Sequence, residues 1–117
     1  MAWTLLLAAG RGNRLASATG GLAKQFLDWK GAPLYWESAL VFSRCARVEG
    51  LVFVFPEACI DEERERVAGL MRNASLGIPW KVVAGGALRQ DSVRNGLSAL
   101  PDDCMEVLIH DAARPFV

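Results

Sequence analysis

Three stretches of this 117-residue chain combine residue types that can handle phosphate. The first is Ala8-Ala9-Gly10-Arg11-Gly12-Asn13-Arg14, which follows an apolar run. Small side chains and the glycines Gly10 and Gly12 let backbone N–H groups come close to an anion, and Arg11 and Arg14 add charge. Between residues 1 and 31 four basic residues, Arg11, Arg14, Lys24 and Lys30, stand against a single acid, Asp28, leaving a local excess of three positive charges. The stretch from Ala16 to Lys24, with Ser17, Thr19, Gly20 and Gly21, reads either as a flap that carries Lys24 over the same pocket or as a solvated loop with an ordinary surface lysine. Neither standard phosphate-loop pattern is present. G-x-x-x-x-G-K-[ST] is absent, and Leu15 stands where G-x-G-x-x-G requires its third glycine, so Gly10-x-Gly12 by itself fits a tight turn equally well.

The second stretch, Gly85-Gly86-Ala87-Leu88-Arg89-Gln90-Asp91-Ser92, opens a helix. A glycine pair there offers unpaired N–H donors, with Asp91 or Ser92 as the natural cap. The third, His110-Asp111-Ala112-Ala113-Arg114-Pro115, follows the last apolar run. Asp111 can meet a divalent metal or a ribose hydroxyl, and Arg114 can clamp a second phosphate. Taken singly they are also a turn-forming aspartate and a surface arginine, and His110 reads first as a hydrogen-bonded structural residue. Together the three stretches describe a nucleoside triphosphate pocket, provided one edge of one sheet presents them all.

The elements needed for that are present. Four short apolar runs, Trp3 to Ala8, Leu51 to Phe55, Trp80 to Ala84 and Val107 to Ile109, lack the alternation of a half-wet strand and read as strands covered on both faces. Between them lie helical segments. Leu34 to Cys45 carries Leu34, Tyr35, Ala39, Leu40 and Phe42 at three- and four-residue steps. The segment from about Asp61 to Asn73 has three acids in its first turn and Val67, Leu70 and Met71 on its apolar side. The segment from about Gln90 to Leu100 carries Val93, Leu97 and Leu100, and Pro101 stops it. Strands alternating with helices predict an α/β fold, a doubly wound, Rossmann-like and mostly parallel sheet whose ligands sit beyond the strands' carboxyl ends. The last strand is followed at once by the chain end with no closing helix, which gives the layout a truncated look.

Composition narrows the partners. At 52% hydrophobic the chain has the material for a core, which excludes disorder. Thirteen basic and thirteen acidic residues cancel, so there is no global field for nucleic acid or an anionic membrane, and no apolar run is long enough to span a bilayer. Cys45, Cys59 and Cys104 are odd in number and widely spaced, against both a disulfide framework and a zinc site, and point to the cytoplasm.

Ala8-Ala9-Gly10-x-Gly12-x-Arg14, Lys24-Gln25-Phe26-Leu27, Gly85-Gly86-x-x-Arg89-x-x-Ser92-Val93 and His110-Asp111-Ala112-Ala113-Arg114-Pro115, in that order, resemble the 2-C-methyl-D-erythritol 4-phosphate cytidylyltransferases of non-mevalonate isoprenoid biosynthesis. The resemblance implies a nucleotidyltransferase-type fold and transfer of CMP from CTP to methylerythritol phosphate, with Mg²⁺ or another divalent cation. It makes Arg14 and Lys24 the catalytic cations, and Ala8, Ala9, Gly10, Gly12, Gly86, Ala87 and Ser92 the holders of base and triphosphate. Asp111 then supports the metal, Ala112 the ribose, and Arg114 lies near the second substrate. Ala23 stands where the family usually has proline. The family's chains are longer, and their second half supplies a dimerising arm and the grip on the acceptor. Residues 1–117 therefore read as a single nucleotide-binding domain, the N-terminal half of a longer, homodimeric enzyme. Two alternatives stand beside this: a cytidylyltransferase acting on ribitol 5-phosphate or another sugar or alditol phosphate, and a nucleotide-binding fragment without chemistry.

Overall fold

The computed structural model describes residues 2–8, 28–29 and 32–111. In chain order these form β1 (Ala2–Leu7), the short antiparallel pair β2 (Asp28–Trp29) and β3 (Ala32–Pro33), α1 (Leu34–Ser43), β4 (Val48–Phe55), a single 3₁₀ turn at Glu57–Cys59, α2 (Ile60–Asn73), β5 (Trp80–Ala84), α3 (Arg89–Ser98) and β6 (Glu106–Asp111). The main sheet runs β5-β4-β1-β6, with all three pairings parallel. The chain begins in the middle, steps outward through β4 to β5, then returns to the far side of β1 as β6. This is the doubly wound order expected from the sequence, and its direction reverses between β1 and β6, where such sheets open a crevice for ligands.

Burial on both faces explains the unbroken apolar runs of β1 and β4, whereas β6, at the edge of the sheet among the described residues, leaves Leu108 and Ile109 40% and 44% exposed and is not covered on both faces. On one face Leu6, Ala8, Leu51, Phe53 and Phe55 pack with Tyr35, Trp36 and Ala39 of α1 and Val67 of α2. On the other, Trp3, Leu5, Leu7, Val52 and Val54 pack with Val93 of α3 and with Ala99, Leu100 and Cys104 beyond it. Leu70 and Met71 of α2 lie against the first cluster, as their spacing predicts.

Two further details depart from the sequence pattern. Strand β4 starts at Val48, ahead of the apolar run, and includes Gly50, a residue that ordinarily weakens strands. The Trp3 ring explains it: a β-carbon on Gly50 would lie 2.5 Å from the indole, so only glycine admits the ring. The second departure is in α3, where Leu97 is 43% exposed, while Ser92 and Gly96 are buried. A β-carbon on Gly96 would lie 2.6 Å from Leu5 Cδ2, so α3 approaches the sheet along small residues and turns Leu97 outward. The Lys81 ammonium fixes the far end of this helix by donating to the Ala99 carbonyl (2.6 Å).

Helices α1 and α2 are joined by a buried polar contact. The Tyr35 hydroxyl donates to Glu63 Oε2 (2.7 Å), and the Arg66 guanidinium lies 3.6 Å from the other carboxylate oxygen. Burial, then the adjacent Glu63 carboxylate, hold the Tyr35 phenol far above its ordinary value. The folded chain therefore keeps a proton that the unfolded chain gives up near pH 10, and stability falls as pH rises beyond that point. Tyr35 is the only tyrosine, so tyrosinate absorbance should appear only as the chain unfolds in alkali. Tyr35→Phe should cost about 1.5–3 kcal/mol in urea unfolding at neutral pH, because it strips a donor from a buried carboxylate.

Candidate functional site

Strand register places the carboxyl ends of the sheet on one rim. Leu7 pairs with Val54 on one side and Asp111 on the other, Val54 pairs with Val83, and Phe55 with Ala84. The ladder continues into the loops, with the Ala8 N–H donating to Val54 O (2.8 Å) and the Gly85 N–H to Phe55 O (2.7 Å). Ala8, Gly86, Ala87, Ser92 and Asp111, five of the residues singled out in the sequence, thus share this edge. Ala9, Gly10, Gly12, Arg14, Lys24, Ala112 and Arg114 lie outside the described residues.

Side chains of α3 shape the β5–α3 loop. The Gly86 N–H donates to Ser92 Oγ (3.1 Å), the Leu88 N–H to Asp91 Oδ2 (3.2 Å), and Asn95 Nδ2 to the Ala84 carbonyl (3.0 Å). Both expected capping residues are used, but for different amides: Asp91 caps the helix start at Leu88, and Ser92 reaches back into the glycine pair. Ser92 is 3% exposed. A serine hydroxyl that accepts one bond still has a proton to donate, so this role is compatible with contact to a ligand.

Asp111 and His110 leave β6 on opposite faces of the sheet. His110 turns toward α1 and meets Phe42 edge to face, with ring centroids 5.0 Å apart. Asp111 turns toward α3, where Arg89 Nε lies 3.8 Å from its Oδ1. Sequence reasoning did not single out Arg89 as a site residue, although it falls within the glycine-pair motif. An ion pair between residues so far apart in the chain carries no spacing signal.

Among the described residues no three His, Cys, Asp or Glu side chains gather to hold a metal ion, and the three cysteines are free thiols. Asp111 stands at the rim, half exposed. A half-exposed carboxylate at this edge suits a hydrated divalent cation that keeps several waters and shares its coordination with phosphate oxygens when nucleotide is bound.

The family model for 2-C-methyl-D-erythritol 4-phosphate cytidylyltransferase, IspD, matches residues 2–117. The chain belongs to this family. It is 55% identical over 114 residues to the bifunctional enzyme IspD/IspF of Oleidesulfovibrio alaskensis, covering 97% of this chain and 29% of that one. It is 39% identical over 113 residues to the 2-C-methyl-D-erythritol 4-phosphate cytidylyltransferase of Clostridium botulinum strain Loch Maree, covering 97% of this chain and 46% of that one. The chain thus spans less than half the length of either relative. Among solved structures, the 4-diphosphocytidyl-2C-methyl-D-erythritol synthase of Anaerococcus prevotii superposes with TM-score 0.73 at 21% identity, over 99% of this chain and 44% of that one. The inositol-1-phosphate CTP transferase of T. maritima superposes with TM-score 0.66 at 23% identity, over 86% of this chain and 39% of that one. These likenesses show the fold; membership in the IspD family rests on the family match and the curated relatives.

Proposed function

We propose that this chain is the CTP-binding domain of a longer, homodimeric cytidylyltransferase that makes CDP-methylerythritol and pyrophosphate from CTP and 2-C-methyl-D-erythritol 4-phosphate. One observation carries the reading: in a member of this family Ala8, Gly86, Ser92 and Asp111 share the carboxyl rim of the sheet beside its switch point. An acceptor phosphate oxygen attacks the α-phosphorus in line, the bond to the bridging oxygen breaks, and pyrophosphate leaves. Charge gathers on the equatorial oxygens and the leaving group, so the protein acts mainly as an electrostatic template.

Backbone N–H groups of the Ala8–Gly12 loop and of Gly86 and Ala87, with Ser92, would hold base and triphosphate. Arg14 and Lys24 would oppose the developing charge. Asp111 would hold a divalent cation, which supplies further charge neutralisation at the phosphates when bound. Ala112 would line the ribose, and Arg114 would approach the acceptor phosphate. The cysteine pattern supports the cytoplasm as its compartment, and no helix among the described residues is long and apolar enough to cross a membrane.

Product analysis on the full-length enzyme tests the acceptor. With a panel of methylerythritol 4-phosphate, ribitol 5-phosphate and other alditol phosphates, CDP-methylerythritol is the expected main product. A preference for another acceptor would overturn that assignment while leaving the CTP site in place.

A further inference from the structure

The Arg89–Asp111 ion pair joins the first residue of α3 to the last residue of β6 at the carboxyl rim of the sheet. Its geometry is loose. At 3.8 Å it is longer than a charge-assisted hydrogen bond, and the two side chains are 64% and 47% exposed. Exposed pairs of this kind are held weakly, so a stronger anion can take the guanidinium. A triphosphate is such an anion, because its oxygens match the planar donor fork of arginine.

We propose that Arg89 is an exchangeable counter-ion for Asp111. Its guanidinium neutralises the carboxylate while the pocket lacks nucleotide, then turns to a phosphate oxygen as CTP enters, leaving Asp111 to the cation that accompanies the triphosphate. This rests on the CTP-site reading and adds an order to it: nucleotide prepares the metal ligand. Arg89 is thereby a positioning residue toward the metal and a binding residue toward the nucleotide.

The test uses the 117-residue chain with two separate probes: Mn²⁺ without nucleotide, followed by water-proton relaxation, and CTP in the presence of EDTA, followed by calorimetry. Arg89→Gln should tighten Mn²⁺ about two- to fivefold by removing its competitor, and weaken metal-free CTP about tenfold. Asp111→Asn should abolish Mn²⁺ binding and tighten metal-free CTP about two- to fivefold, a gain that disappears in the Arg89→Gln background. If that gain persists without Arg89, plain charge repulsion accounts for it and the exchange is wrong. The exchange is equally overturned if Arg89→Gln leaves Mn²⁺ affinity unchanged while wild-type chain binds Mg²⁺·CTP normally. Absence of Mg²⁺·CTP binding by wild-type chain overturns the CTP site itself, and the exchange with it.

Discussion

Alanine in place of Lys24 or Arg14 should slow turnover of the full-length enzyme about a hundredfold or more, with much smaller changes in secondary structure and in KM for CTP. Transfer at the α-phosphorus asks little covalent chemistry of the protein. Its barrier is set by charge moving onto the equatorial oxygens and the departing pyrophosphate, so a cation aimed at those oxygens matters more in the transition state than in the bound substrate. Both residues belong to the motifs that resemble those of the family, and with Lys30 and Arg11 they make the first 31 residues locally basic in a chain with no net charge. Steady-state kinetics with circular dichroism as a control separates the outcomes. A fall in kcat with an intact spectrum is expected, and near-normal turnover in both variants would remove them from the catalytic machinery.

The second large effect is expected at the glycine pair. A β-carbon on Gly86 would sit 2.3 Å from Asp91 Cβ. That atom is fixed to the backbone of α3, so neither partner can swing aside, and Gly86→Ala must push the loop off the helix start. The bond from the Gly86 N–H to Ser92 Oγ is then lost, and with it the placement of amides that we propose meet the nucleotide. The expected loss is about 2–3 kcal/mol of stability, together with at least a tenfold weakening of CTP binding. Thermal unfolding and calorimetry on the same sample measure both. Ser92→Ala removes the bond without the clash and should reproduce only part of the effect.

Most of the scaffold was legible because its signals are local. Strands β1 and β4 read as continuous apolar runs since helices cover both faces of the sheet, and α2 announced itself by Asp61, Glu62 and Glu63 in its first turn. What escaped was set by distant partners. Gly50 belongs inside β4 because Trp3 lies over it, and Leu97 is displaced outward because Gly96 brings α3 against Leu5. The two-residue strands β2 and β3 are too short to show any period. At the candidate site, the Gly85-Gly86 pair and the acidic strand end at Asp111 do fall on one rim of the sheet. The Tyr35–Glu63 and Arg89–Asp111 contacts required knowing which elements are neighbours. Ser92 read as a cap and serves the loop before its helix, a distinction only coordinates draw.

In the proposed complex a nucleotide lies across the ends of β1, β5 and β6. Titrating the isotopically labelled chain with Mg²⁺·CTP, and with Mg²⁺·ATP as the competitor, locates it directly by amide chemical shifts. Large shifts are expected at Ala8, Gly86, Ala87, Ser92 and Asp111 with CTP, weaker ones with ATP, and none at Arg47 or Glu106, which pair at the opposite end of the sheet. Shifts centred on that opposite end, or no response to either nucleotide, would contradict the account.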